Sequence, residues 1–361
     1  MLYAIVLSLM ILATALQLLL WRFVYGRLQP TSAATSETQS GVSVVICARN
    51  DAANLQTNLP AVLAQEYPLF EVLVVNDHSA DETTPVLEDF QKRYPQLRIL
   101  HLKEKGGKKQ ALQAGVDAAQ HPYLLLTDAD CTPASAQWIQ EMMAARSGNT
   151  QIVLGYAPYF KASGWLNRFV RFETVMTGLQ YLSLAQTGIP YMGVGRNLLI
   201  ERALHLQYRA QLRNDLLSGD DDLMINAAAT AANTRICLSP TTFCWSKPAP
   251  SWSAFWQQKI RHLSIGQHYR PAHQLLVAAI AFSQFGVYMG LFLGAMYPAL
   301  LGLFLLRLIV AWMIFWRKSG LLAGGELCCW FPVLDLLQVL YYVVFSPFIF
   351  FLRPKKWGSV R

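Results

Sequence analysis

The sequence predicts an α/β domain built on a doubly wound sheet of buried parallel strands and flanked by transmembrane helices. Three observations predict it. Of 361 residues, 53% are hydrophobic and only 14% charged, with a mean hydropathy of +0.27; a soluble globular chain carries about 25% charged residues. Long uncharged runs stand near both ends, as bilayer-spanning helices require. Between them, short apolar runs alternate with segments of helical length and composition, as strand and helix do around a parallel sheet. The Asp, Gly and Pro clusters of that middle region exclude membrane helix throughout, and the length allows roughly two domains of about 150 residues.

The elements follow in order. Met1–Trp21 carries no charge and, at about 1.5 Å per residue, is long enough to cross a hydrocarbon core about 30 Å thick. Arg22 and Arg27 follow it while MLYAI has no positive charge. Residues 1–24 therefore read as a retained helix rather than a cleaved signal, with the chain beyond it in the cytoplasm. Residues 25–40, ending PTSAATSETQS, read as a linker. Residues 41–248 read as a soluble domain in which VSVVI (Val42–Ile46), FEVLVV (Phe70–Val75), LRILHL (Leu97–Leu102) and the run from Tyr123 are strands. Helices are expected near residues 51–65, 81–94 and 107–120. In such a sheet the polar residues after the strands gather in one crevice, which selects Cys47–Asp51, Asn76–Ser79, Gly106–Lys109 and Asp128–Asp130.

Residues 249–272 read as an interfacial amphipathic segment, with Trp252, Phe255 and Trp256 beside Lys259, Arg261 and His262. Residues 273–317 read as two transmembrane helices turning near Tyr297 and Pro298. Residues 327–352 form a third apolar block, either one span or a re-entrant hairpin. Lys355 and Lys356 place the C-terminus in the cytoplasm. Arg307 and Asp335 are the charges inside these blocks; charges at that depth are costly and normally pair, so either the two face each other between the last helices or Arg307 snorkels to the inner interface.

The net charge of +8, from 30 Lys and Arg against 22 Asp and Glu, points to an anionic membrane surface or a phosphorylated substrate. Without a lysine-rich tail or a nucleic-acid motif, nucleic acid is set aside. The six cysteines lack CxxC spacing and read as reduced thiols without metal. TDAD (Thr127–Asp130) puts two carboxylates at a strand end, suited to a hard divalent cation that bridges substrate phosphates. NDHS (Asn76–Ser79) offers Asp77 to a nucleoside, with no GxGxxG beside it. EKGGKKQAL (Glu104–Leu112) sets glycines and lysines at a helix start, suited to a diphosphate. SGDDDL (Ser218–Leu223) crowds three carboxylates, which raises the pKa of at least one and supplies a candidate general base.

Together these stretches resemble the membrane-bound inverting glycosyltransferases of family 2, the group of ceramide glucosyltransferase, hyaluronan synthase and cellulose synthase. The resemblance runs from about residue 41 to 270. VSVVICARND is similar to the family's first strand and nucleotide loop, NDHSAD to its second Asp motif, GGKKQAL to its lysine loop and TDADCTP to its DxD motif. GVGRN (Gly193–Asn197) is similar to the acceptor-side glycine segment, GDDDL to the base motif, and Gln258, Arg261 and His262 to QxxRW, with His262 where Trp is usual. The resemblance implies a nucleotide-diphospho-sugar transferase (GT-A, Rossmann-like) domain. Ala48, Arg49, Asn50, Asp77, Lys108, Asp128, Gln258, Arg261 and His262 would then bind the nucleotide sugar, Asp77 through the uridine. Asp130 would hold Mg2+ or Mn2+. Gly193, Gly195 and Asn197 would lie on the acceptor side, and Asp221 would be the base, with Asp220 and Asp222 as alternatives.

The implied activity is inverting, metal-dependent transfer from a nucleotide sugar, of the UDP type, to a hydroxyl of a membrane lipid or cell-envelope glycan. The implied setting is the cytoplasmic face of a bacterial-type inner membrane. Three other readings stand beside it: a processive polysaccharide synthase, for which the visible spans are few; a haloacid-dehalogenase-like phosphatase using DADCT; and a non-catalytic membrane scaffold.

Overall fold

The computed structural model describes residues 1–31, 40–104, 106–209 and 219–351. The expected linker falls largely on residues 32–39, and Leu352, Lys355, Lys356 and Ser218 likewise lie outside the described residues. The strands are β1 (Val42–Ala48), β2 (Phe70–Asn76), β3 (Leu97–His101), β4 (Tyr123–Asp128), β5 (Cys131–Pro133), β6 (Ile152–Leu154), β7 (Leu198–Glu201), β8 (Thr234–Ile236) and β9 (Cys244–Ser246). The helices are α1 (Leu2–Leu19), α2 (Ala52–Leu63), α3 (Thr83–Arg93), α4 (Lys108–Ala118), α5 (Trp138–Ala144), α6 (Trp165–Gln186), α7 (Arg202–Tyr208), α8 (Asp220–Ala228), α9 (Trp252–Leu263), α10 (Pro271–Leu293), α11 (Pro298–Ser319) and α12 (Phe331–Phe351).

The main sheet runs β3-β2-β1-β4-β7-β6-β8. Its first four strands are parallel, as their unbroken apolar runs predict, because helices cover both faces. Alternate residues of β1 feed different cores: Val45 and Cys47 on one side, Val44 and Ile46 on the other. The other half of the sheet is mixed, a feature absent from the sequence reading. β7 runs antiparallel to both β4 and β6, and β8 is parallel to β6. These strands of three or four residues are too short to show a period.

One core is continuous from the sheet into the apolar helices, joining Val45 and Val75 to Phe172, Trp21, Phe315 and Phe331. Helix α6 makes that joint. Trp165 is exposed, but Phe169 and Phe172 are buried within a 22-residue helix against the membrane-type helices. Arg171 of α6 pairs with Glu326 and donates to the Ala323 carbonyl at 2.8 Å. Among the described residues, four helical segments are long and apolar enough to cross a membrane: Tyr3–Arg27, Pro271–Leu293, Pro298–Leu322 and Gly325–Ser346. The last apolar block is one continuous helix through Phe351 rather than a hairpin, because Pro332 sits in its first turn, where no amide partner is lost. Arg307 and Asp335 meet as an ion pair, 1% and 0% exposed, with Gln284 and Tyr288 also donating to the carboxylate at 3.0 and 2.7 Å.

Candidate active site

The order of the strands reverses between β1 and β4, and Cys47 lies in register with Asp128 there. Ligands of open α/β sheets bind outside the carboxyl ends of the strands at such a point. A cavity of about 1380 Å³ opens at that edge. Of the residues singled out in the sequence, Arg49, Asn50, Lys108, Asp128, Asp130, Gly193, Gly195, Asp221, Asp222, Gln258, Arg261 and His262 line it. They come from loops far apart in the chain, brought together by the sheet.

Lys108 opens α4, and its Nζ donates to Asp128 Oδ1 at 2.6 Å. Burial works against the lysine's charge, but Asp128 and Asp221 outweigh it and raise the lysine's pKa, so the ammonium persists. The loop ahead of it turns on Gly107, whose φ of +84° favours glycine. The Gly106 and Gly107 amides donate to Asp77 at 3.0 and 2.9 Å, and Arg49 lies 3.6 Å from the same carboxylate. Asp77 is 0% exposed and does not line the cavity. In this structure it holds the glycine loop and Arg49 in place rather than facing a ligand.

The acidic motif divides by environment. Asp221 Oδ2 accepts the Gly195 amide, and a Cβ on Gly195 would stand 2.8 Å from that oxygen, so the carboxylate's position requires glycine there. Asp222 behaves differently. Burial first, then the Asp221 charge, push its pKa well above the usual carboxylate range, against hydrogen bonds from the Gly193 amide and Tyr269. One of its oxygens, Oδ1, is buried with no hydrogen-bond partner. Asp220 begins α8, and its side chain lies outside the described residues. His262 is held well below its ordinary pKa by burial and then by Lys259, Arg261, Arg196 and Lys108, so it stands neutral among cations.

Two further expected residues, beside Asp77, do not reach the cavity. Ala48 is the buried end of β1, its carbonyl accepting the Asp77 amide at 3.0 Å. Asn197 was expected on the acceptor side. Instead it is fully buried, accepting from Trp138 Nε1 at 2.9 Å and donating to the Tyr156 and Thr242 carbonyls at 2.9 and 2.7 Å. It braces the start of β7, because a buried amide must satisfy its polar atoms.

Arg196 was missed. It lines the cavity, donates to Ser246 Oγ at 2.6 Å, lies over the Tyr159 ring at 4.5 Å, and feels Asp130 and Asp128. Gln258 donates to the same Tyr159 hydroxyl at 3.0 Å, so α9 and the glycine segment meet there. The signal lay inside GVGRN, whose cation was passed over for its glycines. Glu173 was missed too: the acid on an apolar helix forms a buried ion pair with Lys259, and both line the cavity.

Among the described residues no three His, Cys, Asp or Glu side chains converge on a common metal position. The donor set fits an ion only if diphosphate oxygens and water complete its shell around Asp130, with Asp128 already sharing Lys108. Mg2+ and Mn2+ bind nucleotides in that way.

Residues 43–205 match the glycosyl transferase family 2 model, and the chain carries a domain of that family. The matched span ends before Asp221, Gln258 and Arg261. The glycosyltransferase AglE of Haloferax volcanii is 35% identical over 116 residues, which cover 32% of this chain and 38% of that protein. The poly-beta-1,6-N-acetyl-D-glucosamine synthase of Staphylococcus epidermidis is 33% identical over 90 residues, covering 25% and 22%. The chain thus spans well under half the length of these two relatives. The mannosyltransferase PcManGT from Pyrobaculum calidifontis, solved with GDP-Man and Mn2+, superposes with a TM-score of 0.61 over 94% of this chain and 99% of that one, at 16% identity. The likeness is one of fold: a GT-A-type sheet with apolar helices.

Proposed function

We propose that this protein is an inverting glycosyltransferase of the cytoplasmic membrane face, transferring a sugar from a UDP-type donor to a hydroxyl of a lipid or cell-envelope glycan. The observation that carries the reading is one cavity holding both halves of the chemistry. Lys108, Arg196 and Arg261 stand with Asp128 and Asp130 at the strand ends, and Asp221 enters from α8.

A donor diphosphate laid against the glycine loop would meet the α4 amino terminus and Lys108, where backbone amides and an ammonium favour an anion. Arg261 and Arg196 would neutralise the charge that grows on the departing nucleotide. Asp221, oriented by the Gly195 amide, takes the proton of the acceptor hydroxyl. The acceptor oxygen then bonds to the anomeric carbon from the face opposite the diphosphate. The bond from that carbon to the phosphate oxygen breaks, and the configuration inverts. Asp130, with Asp128, would hold a divalent ion whose contribution is to offset charge on the diphosphate.

The test is UDP release by detergent-purified protein with Mn2+ or Mg2+ across a panel of UDP-sugars, with Asp130→Ala and Asp221→Asn alongside. Release with one sugar, lost in both variants, supports the reading. No release with any donor and added membrane lipid removes it. A ladder of product lengths would favour the processive form, which the cavity's extension between the apolar helices makes physically accessible.

A further inference from the structure

Helix α8 carries more than Asp221. Asp222 and Asn226 lie four residues apart on it and so share one face. That face meets the stretch joining α9, with its Gln258 and Arg261, to α10. The stretch is a 3-10 turn, Ser264–His268, followed by Tyr269 and Arg270. Three contacts fasten it to α8. The Tyr269 hydroxyl donates to the Asp222 carboxyl group, which also takes the Gly193 amide. The Arg270 amide donates to Asn226 Oδ1 at 2.7 Å, and the Arg270 guanidinium donates to the Ala227 carbonyl. Ile265 packs so closely on Gly219, which caps α8, that a Cβ there would stand 2.7 Å from its side chain.

Asn226 is the centre of this joint. It is 2% exposed and does not line the cavity, so it touches no reactant. Its Nδ2 donates to the Tyr191 carbonyl at 2.7 Å and lies 2.9 Å from His273 Nδ1 in the first turn of α10. One amide thus ties α8 to the approach to the glycine segment, to the α9–α10 connection and to α10. A buried amide bonded at both its oxygen and its nitrogen fixes direction as well as distance. The groups at the two ends of the joint act at the same moment of the proposed reaction. Asp221 takes a proton as the new bond forms, and Arg261 meets the charge that grows as the old bond breaks. Lys108 and the strand-end carboxylates, which would hold the donor beforehand, lie outside the joint.

Resting on the transferase reading above, we infer that Asp222, Asn226 and Tyr269 are positioning residues, a clasp that holds the helix carrying the base at a fixed distance from the arginine of α9. The clasp acts through Asp221 and Arg261 and makes no contact with substrate of its own.

The test pairs Asn226→Leu with Tyr269→Phe, each close in volume to the parent residue and each removing one tie. Without donor, hydrogen exchange of the full chain in detergent, read by mass spectrometry, should be about tenfold faster over residues 191–197 and 264–273 in either variant, the scale of one lost hydrogen bond. Exchange over β1 and β4 should not change. With donor and acceptor, kcat for UDP release should fall about tenfold, as a displacement of about half an ångström at a reacting group predicts. The donor KM should stay within about threefold, because the lost contacts serve the transition state. Thermal unfolding checks that each variant is folded, and if Asn226→Leu is not, Tyr269→Phe decides. Unchanged exchange in the folded variants overturns the clasp. Faster exchange with unchanged kcat, or a raised donor KM with unchanged kcat, overturns its positioning role. If the parent protein releases no UDP from any donor, the transferase reading falls and the positioning role with it, while the exchange measurement still decides whether the clasp exists.

Discussion

Gly195→Ala probes the proposed base, Asp221, directly while leaving every ionisable group in place. The new Cβ would stand 2.8 Å from Asp221 Oδ2 and 3.1 Å from its Cγ, where ordinary contact begins near 3.4 Å, so the carboxylate must retreat by about 0.6 Å. The Gly195 amide that orients it survives, and no positive φ makes alanine strained there. Misplacing a reacting group by about 1 Å costs on the order of 10²-fold in rate, so about 0.6 Å predicts a fall in kcat of about 10- to 30-fold. The diphosphate end is untouched, and the KM for the nucleotide sugar should stay within about threefold. The assay is steady-state UDP release at saturating acceptor, with thermal unfolding as a check on folding. A folded variant with unchanged kcat would show that the position of Asp221 is immaterial and would refute its assignment as base.

Lys108→Met removes the ammonium that pairs with Asp128 and that, in the proposed mechanism, meets the diphosphate. It should raise the donor KM about 10- to 100-fold, the scale of one charged hydrogen bond, measured by initial rates against donor concentration. Asp222→Asn keeps the acceptor for the Gly193 amide but removes a carboxyl whose folded pKa is raised. That group's stability contribution is complete below its unfolded pKa of about 3.9 and is lost as pH rises through the folded value. The variant should therefore lose less Tm than the parent between pH 5 and pH 9; equal slopes would contradict the shift. In the apolar helices, Asp335→Asn or Arg307→Gln alone leaves a buried charge without its partner and should cost about 3–5 kcal/mol, while Arg307→Leu with Asp335→Leu should recover much of it. Unfolding in detergent, followed by tryptophan fluorescence, reads the difference.

Much of the site was legible because its chemistry is local. TDAD, GGKK and GDDD each declare themselves by crowding charges at a strand or helix end, and the rule for parallel sheets sends such ends to one crevice. Arg307 and Asp335 were legible for the converse reason: an isolated charge in an apolar block must find an opposite one. What stayed hidden depended on partners distant in sequence. Asn197 looks like an acceptor ligand beside two glycines, yet a tryptophan 59 residues away claims its side chain. Arg196 reads as filler until Tyr159 and Ser246 close around it, and Glu173 shows no role until Lys259 arrives from α9.

The sequence by itself determined the parallel half of the sheet, the acidic and basic clusters, and the apolar helices, because continuous apolar runs and local charge carry enough free energy to be read without context. Only the tertiary structure decided how Asp221 and Asp222 differ in their surroundings, that Asp77 props the glycine loop, and that the cavity runs on between the apolar helices. Those outcomes rest on burial and on hydrogen bonds between segments tens to hundreds of residues apart, whose energies exist only once the chain has folded.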